Sequence, residues 1–594
     1  VVFDQITRLE YRGYDSAGVA YGAGNGIGIL KRAGKLANLK DLIENENPNS
    51  HAAIAHSRWA THGAPTDENA HPHFDQSGRI AVIHNGIIEN YYELAKELTE
   101  KGHTFKSETD TEVAAHVIGE EYEATGQFLE AVRRASRRLR GAFAMVILST
   151  EEPDKIVAIR NASPLVLGIG KGENFLASDI PALLPYTREV VVLEEGDLAV
   201  LTPNEIYLED AESRPKLPKR IHIDWDIEAA EKSGFEHYML KEIHEQPKAL
   251  LQCLTGRLLK DGSVQLRDIF DNEVWTKTNR IIITACGTAY HAGLLGKFMI
   301  ESLLRIPTEV VYASEFRYNN PILNPNDLVI VISQSGETAD TLAALKLAKD
   351  KGVPTLGIVN VVGSSIAREC DSVFYIQAGP EICVASTKAY TAQVAALALV
   401  TLFAGKLRNA DKEKLARLTD GLQKLPELLT TCLKSEQHII DIAQKVVDAP
   451  LFFFLGRGAD AAVALEGALK MKEIAYVPTQ ESPAGEMKHG PLALVEQGVV
   501  AIFGVTNPTT REKVMSNIKE ISARHGKTIA IALEGDPITP NVADETITIP
   551  FVDSHIIAAA VSVLPMQLLA YHVARLKGCD IDQPRNLAKS VTVE

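Results

Sequence analysis

The rhythm of hydrophobic and polar positions changes once along this chain, near residue 236. Before that point, short segments alternate apolar and polar residues, the period-two pattern of half-buried strands. Such segments stand at 52–56, 80–84, 143–148, 156–160, 190–193 and 198–201, with amphipathic helices predicted near 91–101 and 110–123. Clustered strands with few crossover helices imply mostly antiparallel sheets. Beyond residue 236 the order becomes helix, strand, helix, strand. Runs rich in β-branched residues at 281–284, 328–332 and 355–359 lack polar alternation. They predict strands buried on both faces, hence a parallel sheet covered by helices. The pattern returns at 451–455, 499–505 and 528–532, with a helix over 461–475.

This rhythm predicts an α+β unit at 1–208 and a linker at 209–235, rich in proline and charge. Two similar α/β lobes follow at 236–430 and 431–578, then a short tail at 579–594. No charge-free run of about 18 apolar residues is read, so no membrane span is expected. No signal peptide is read either.

Composition narrows the function classes. In 594 residues, 45% are hydrophobic and 23% charged, and the formal net charge is -16. An acidic chain repels nucleic acid and anionic membrane, so small-molecule chemistry is expected. The six cysteines form no CxxC pair. That is neither a disulfide framework nor a zinc pattern, and it suits a reducing cytoplasm.

Candidate chemistry clusters where strands meet helices. Ser333-Gln334-Ser335-Gly336-Glu337-Thr338 joins a buried strand to a helix. Hydroxyls and free N–H groups at a helix's positive end suit a phosphate monoester; a plain helix cap is the alternative. Cys286-Gly287-Thr288 forms a second turn after another strand, and two such turns outline a crevice. Gly22-Ala23-Gly24-Asn25-Gly26 reads as a hairpin loop, and Gly456-Arg457-Gly458 is an incomplete dinucleotide fingerprint. Lys470 and Glu473 share a helical face, as a surface ion pair or as working groups. His489 lies in a polar loop, and Lys589 sits in an apolar, β-branched tail that suggests docking. In the first unit four histidines raise a zinc alternative, but their spacing is irregular and no cysteine accompanies them. The other reading is a polar amino-acid site. Arg58 would fork onto a carboxylate, Asp110 would hold an ammonium, and Asn85 and Gly86 would donate to an oxyanion.

With these segments in order, the chain resembles the glutamine–fructose-6-phosphate aminotransferase family. The resemblance rests on Tyr11-Arg12-Gly13-Tyr14-Asp15-Ser16-Ala17-Gly18, on 58–63, on His84-Asn85-Gly86, and on 107–112. It continues through 285–288, 333–338, Val384-Ala385-Ser386-Thr387-Lys388 and the closing 588–594. It implies an N-terminal-nucleophile glutaminase lobe followed by two sugar-isomerase lobes. Arg58, Thr61, His62 and Asp110 would hold glutamine, Asn85 and Gly86 would form the oxyanion hole, and Trp59 would gate an ammonia channel. Thr288, Ser333, Gln334, Ser335 and Thr338 would cradle the sugar phosphate, lined by Val384 and Ala588. The residue after Thr288 is often serine in the family and is Ala289 here, one hydroxyl fewer.

By the same resemblance, Lys589 would form a Schiff base with the open-chain ketose, and Glu473 would move the proton between C1 and C2. His489 would help open the ring from a second subunit, which implies a homodimer, and Lys470 would support Glu473 or the sugar oxygens. No metal or organic cofactor is implied. The family attacks the amide with a cysteine at its mature N-terminus. The chain begins Val1-Val2, and no cysteine falls in 1–208, so glutamine hydrolysis is not expected from the chain as it stands. A phosphoribosyl-diphosphate amidotransferase would carry paired acidic residues after a strand, and none is read here. A non-catalytic sugar-phosphate sensor need not keep Lys589, Glu473 and His489 together.

Overall fold

Alternation decides the layering of the first unit. In the computed structural model, the strand Ile80–Ile88 sends Ile80 and Val82 into one apolar cluster with Met145, Ile147 and the helical residues Val113 and Val117. Ala81 and Ile83 point the other way, into a cluster with Ala144, Val146, Ile54 and Leu167. Successive strand residues face opposite sides, so this sheet is buried on both faces. Helices Tyr91–Glu100, Asp110–Thr125 and Phe128–Arg138 cover one face, and two smaller sheets cover the other. The structure describes all residues except 11, 12, 14, 25, 60–62, 224–231, 267, 268, 270, 271, 593 and 594. They fall into two units: Val1–Glu228 with Ala588–Glu594, and Ala229–Leu587.

Every strand pairing in the first unit is antiparallel among the described residues. The central sheet runs Ile206–Glu209, Leu198–Leu201, Ile156–Asn161, Gly141–Ser149, Ile80–Ile88, His73–Phe74. A three-stranded sheet runs Gly26–Ala33, Ser16–Ala23, Ala53–Arg58, and a four-stranded one runs Arg220–His222, Glu189–Val192, Val166–Ile169, Asn174–Ala177. The glycine run near residue 24 turns the first hairpin, where Ala23 pairs with Gly26 and Gly24 has φ +56°. The segment 209–235, read as linker, holds the strand Arg220–His222, which pairs with 189–191. A three-residue edge strand is too short for alternation to register.

The second unit holds two parallel five-stranded sheets of the same order. One runs Thr308–Tyr312, Arg280–Ala285, Asp327–Ser333, Thr355–Val359, Ser372–Tyr375. The other runs Thr479–Pro483, Phe452–Gly456, Val500–Val505, Lys527–Leu533, Glu545–Ile549. Central strands such as Asp327–Ser333 and Val500–Val505 are buried at every residue, as expected for a sheet covered on both faces.

Two helices, Lys388–Leu407 and His555–Leu576, are long and apolar enough to cross a membrane by length and composition. Within the fold, 83% and 100% of their apolar windows are buried. Both contribute to the cluster that runs through the two lobes, so their apolarity on all sides is that of core helices. A buried polar pair sits among them: Gln246 Nε2 donates to Gln567 Oε1 at 2.8 Å.

The helix Ala459–Ala475 crosses this core at a small residue. A Cβ on Gly467 would lie 2.6 Å from Met566 Sδ and 2.9 Å from Phe454 Cδ1. Gly467→Val should therefore destabilise the protein by about 1–3 kcal/mol through overpacking. A lowered urea midpoint at unchanged slope would bear this out, and an unchanged midpoint would mean the helices part without cost.

Candidate active sites

The first unit encloses a cavity of about 980 Å³. Its walls include Ala53–Arg58 and Asn174–Ala177, each the outer strand of its own sheet. Asn85, Gly86 and Asp110 also line it, as do Ser590 and Thr592 of the closing segment. The strand Ile80–Ile88 carries Asn85 and Gly86 to the wall. His56 Nε2 and Asn85 Oδ1 share a hydrogen bond of 2.8 Å, which fixes the Asn85 amide. Gly86 has φ +133°, and a Cβ there would lie 1.9 Å from the Ala142 carbonyl oxygen. Only glycine fits that conformation and that approach.

Asp110 opens the helix Asp110–Thr125, whose positive end favours a carboxylate. Its Oδ2 accepts from the Ile88 N–H at 2.9 Å. The helix is capped by Thr109, and Glu112 accepts from the N–H groups of Lys106 and Ser107. Arg58 is buried, and its guanidinium donates to the carbonyls of Gly63 and Ala64 at 3.1 and 3.4 Å. Burial lowers the Arg58 pKa, while the charges of Asp110 and Asp15 oppose that shift. Trp59 is half-buried beside it on the cavity wall. Thr61 and His62 lie outside the described residues.

The histidines form a buried stack. The His56 and His71 ring centroids are 4.3 Å apart, and Thr111 Oγ1 lies 3.0 Å from His71 Nε2 and 3.1 Å from His84 Nδ1. Thr109 Oγ1 lies 3.1 Å from His73 Nε2. Desolvation pushes His56 down to about 4 and holds His71 and His73 well below the ordinary histidine value. These three rings are neutral at pH 7. Among the described residues, no group of three or more His, Cys, Asp or Glu side chains is arranged to hold a metal ion.

In the second unit, the strands Arg280–Ala285 and Asp327–Ser333 are parallel neighbours, with Ala285 opposite Ile332. The turns that follow them leave the same sheet edge side by side. Ser333 Oγ accepts from the Gly336 N–H at 3.0 Å and lies 3.1 Å from Thr338 Oγ1. Ser335 Oγ accepts from the Glu337 N–H at 3.2 Å. Gly336 has φ +69°, and a Cβ there would lie 2.0 Å from Ser364 Oγ. Gln334 is half-buried, and its carbonyl accepts from the Asn360 N–H at 3.3 Å. Thr338 precedes the helix Ala339–Asp350, yet its side chain makes no capping hydrogen bond. The plain-cap alternative therefore does not account for its hydroxyl.

Thr288 occupies the second position of the helix Gly287–Leu303 and meets a charged cluster. Lys470 Nζ donates to Thr288 Oγ1 at 2.9 Å, and Thr288 Oγ1 donates to Glu466 Oε1 at 3.1 Å. Lys470 pairs with Glu473 at 2.7 Å and Glu466 at 3.3 Å. The Lys470 and Glu466 side chains are 0% exposed. His291 Nδ1 shares a 2.8 Å contact with Glu466 Oε2. Burial alone would lower the Lys470 pKa, but Glu466 and Glu473 outweigh it and raise it. The Lys470–Glu473 pair is thus not a surface ion pair. Glu466 was not singled out from the sequence, although its spacing of four before Lys470 places it on the same helical face.

The remaining sequence candidates are spread more widely. Val384 lies between the strand Ser372–Tyr375 and the helix Lys388–Leu407, and its N–H donates to the Asp582 carbonyl at 3.2 Å. His489 is exposed at the end of the 3₁₀ turn Ala484–His489. Ala588 and Lys589 are half-buried in the closing segment that groups with the first unit.

The histidine stack makes the first unit acid-sensitive. His56 has a folded pKa of about 4 against an ordinary 6.5, so below pH 6.5 the unfolded chain takes up a proton the folded ring refuses. Stability is full above pH 6.5 and falls as pH drops towards 4. His56 alone contributes about 3 kcal/mol to that loss. Urea unfolding at pH 7 and pH 4.5 should show the fall, and His56→Gln should flatten it. An unaltered pH slope in that variant would refute the assignment to His56.

Known protein families match both units. Residues 56–185 match the glutamine amidotransferase domain, and residues 275–402 and 445–577 each match the SIS domain. The chain is 50% identical over 596 aligned residues to a Thermus thermophilus protein named glutamine–fructose-6-phosphate aminotransferase (isomerizing), covering 100% of this chain and 98% of that one. A relative of the same name from Aquifex aeolicus is 45% identical over 597 aligned residues with the same coverage. The C-terminal domain of glucosamine-fructose-6-phosphate aminotransferase from Francisella tularensis superposes with a TM-score of 0.57 at 41% identity, over 59% of this chain and 100% of that one. On the full-length identity, the chain belongs to the family of isomerizing glutamine–fructose-6-phosphate aminotransferases.

Proposed function

We propose that the protein forms glucosamine 6-phosphate from fructose 6-phosphate, with nitrogen supplied by the amide of glutamine. The observation that carries this reading is the buried Lys470 ammonium between Glu466 and Glu473, hydrogen-bonded to Thr288 beside the Ser333–Thr338 turn. A phosphate monoester seated on the hydroxyls and N–H groups of that turn presents its sugar carbons towards a fixed acid–base set. The cavity bounded by Arg58, Asn85, Gly86 and Asp110 suits glutamine, with Thr61 and His62 as further contacts, Asn85 and Gly86 donating to the oxyanion, and Trp59 gating ammonia.

The chemistry balances without a metal or organic cofactor. The Lys589 amine adds to the C2 carbonyl of the open-chain ketose, and water leaves as the imine forms. Ammonia then displaces Lys589 and leaves a C2 imine of the sugar. Glu473 takes a proton from C1 and returns one to C2, while the C1 hydroxyl proton passes to the nitrogen, which converts the ketose imine into the 2-amino aldose. Lys470 holds Glu473 in place, and Val384 and Ala588 flank the sugar. His489 assists ring opening from a second copy of the chain, so the working form is a homodimer, placed in the cytoplasm.

The test is glucosamine 6-phosphate formation from fructose 6-phosphate with ammonium as nitrogen donor, which bypasses amide cleavage. Lys589→Ala should abolish product, and its persistence would remove the Schiff-base step. Glu473→Gln should lower kcat by about 10²–10⁴ with little change in KM. Ser333→Ala with Thr338→Ala should instead raise KM. An effect of that pair confined to kcat would move the phosphate elsewhere.

A further inference from the structure

The two lobes of the second unit share a strand order, and their helices begin at matching places. In the first lobe, Arg280–Ala285 leads into the helix Gly287–Leu303, whose second residue is Thr288. In the second lobe, Phe452–Gly456 leads into the helix Ala459–Ala475, whose second residue is Asp460. Asp460 therefore stands where Thr288 stands. The neighbouring strand Val500–Val505 corresponds to Asp327–Ser333, and the turn Thr506-Asn507-Pro508-Thr509-Thr510 follows it into the helix Arg511–Ser522.

The side chain at that position differs in kind. Asp460 is 1% exposed. Its Oδ2 accepts from the Thr506 N–H at 3.0 Å, and its Oδ1 accepts from Thr506 Oγ1 at 2.5 Å. The Asn507 N–H donates to it as well. Space is made for this carboxylate: a Cβ on Gly504 would lie 2.9 Å from the Asp460 Cβ. Burial pushes the Asp460 carboxyl up to about 6, and the three hydrogen bonds work against that rise. At neutral pH, a buried anion is held at a strand end by two successive N–H groups and a hydroxyl. These are donors of the kind that bind a phosphate. Cationic groups flank the turn. Arg457 precedes the helix that carries Asp460 and donates to Asn517 Oδ1 at 3.0 Å, and Arg511 pairs with Asp536 at 3.6 Å.

We infer that the second lobe keeps an anion-binding crevice at its sheet edge and fills it with its own Asp460 carboxylate, so that phosphate monoesters enter the first lobe alone. The inference rests on the reading of Ser333–Thr338 as the phosphate turn of the first lobe. Removing the carboxylate should open the crevice to inorganic phosphate.

The experiment is calorimetric titration of the full chain with inorganic phosphate, for the parent, Asp460→Ser and Asp460→Asn. The parent should bind one phosphate per chain, Asp460→Ser two, and Asp460→Asn one, because the isosteric amide still fills the space. A folded Asp460→Ser protein that binds only one phosphate overturns the inference, as does an Asp460→Asn protein that binds two. A parent that binds none overturns the first-lobe reading instead. If Asp460→Ser is poorly folded, its thermal midpoint is read in phosphate and in chloride at equal ionic strength. A phosphate-specific rise larger than the parent's supports an empty anion site, and an equal or smaller rise overturns it.

Discussion

A fully buried ammonium sets the terms for the second unit. Lys470 has no contact with water, so its charge persists only because Glu466 and Glu473 stand beside it and Thr288 accepts from it. Removing one partner of such a pair typically costs about 3–5 kcal/mol, because the other charge is left buried and uncompensated. The helix that carries all three charged groups must therefore hold its position closely. It does so by backing Gly467 onto Met566 and Phe454, where no side chain intervenes. His291 fixes the far oxygen of Glu466 from the neighbouring lobe. Packing and electrostatics thus specify the same helix placement, and the hydroxyl-lined turn at 333–338 inherits its surroundings from it.

Much of this fold was legible in the chain because periodicity is a physical requirement. The segment 80–84 reads as a half-buried strand; the strand is present and continues to Ile88, but both of its faces are covered there. The β-branched runs at 281–284 and 328–332 foretold parallel strands, since a sheet covered on both sides has no polar face to show. Other elements left weaker traces. The helix Phe128–Arg138 buries Phe128, Ala131, Val132 and Ala135 at clear helical spacing and went unread among its arginines. The helix His555–Leu576 carries too little polarity to reveal a face, because it has none to expose.

The sites were legible to different depths. Residue types in turns pointed to Ser333, Thr338 and Thr288, because hydroxyls and glycines between a strand and a helix imply an anion. Glu466 escaped because a glutamate on a helix is ordinary until burial is known. The sequence also gave no sign that the Arg58 fork engages the carbonyls of Gly63 and Ala64. Nor could it separate a metal cluster from a stack of neutral rings. That distinction depends on desolvation, which spacing does not encode.

The neutrality of the histidine stack shapes the field inside the first cavity. With His56, His71 and His73 uncharged at pH 7, the charged side chains that line the cavity include the Arg58 cation and the Asp110, Asp154 and Glu173 carboxylates. Arg58 and Asp110, close enough to act on one another, therefore form a local dipole within a wall that is acidic on balance. A zwitterion aligned head to tail with that dipole gains at both ends. A diacid or a diamine of the same length gains at one end and loses at the other. Beside that pair, the direction of a small molecule's dipole counts as well as its net charge.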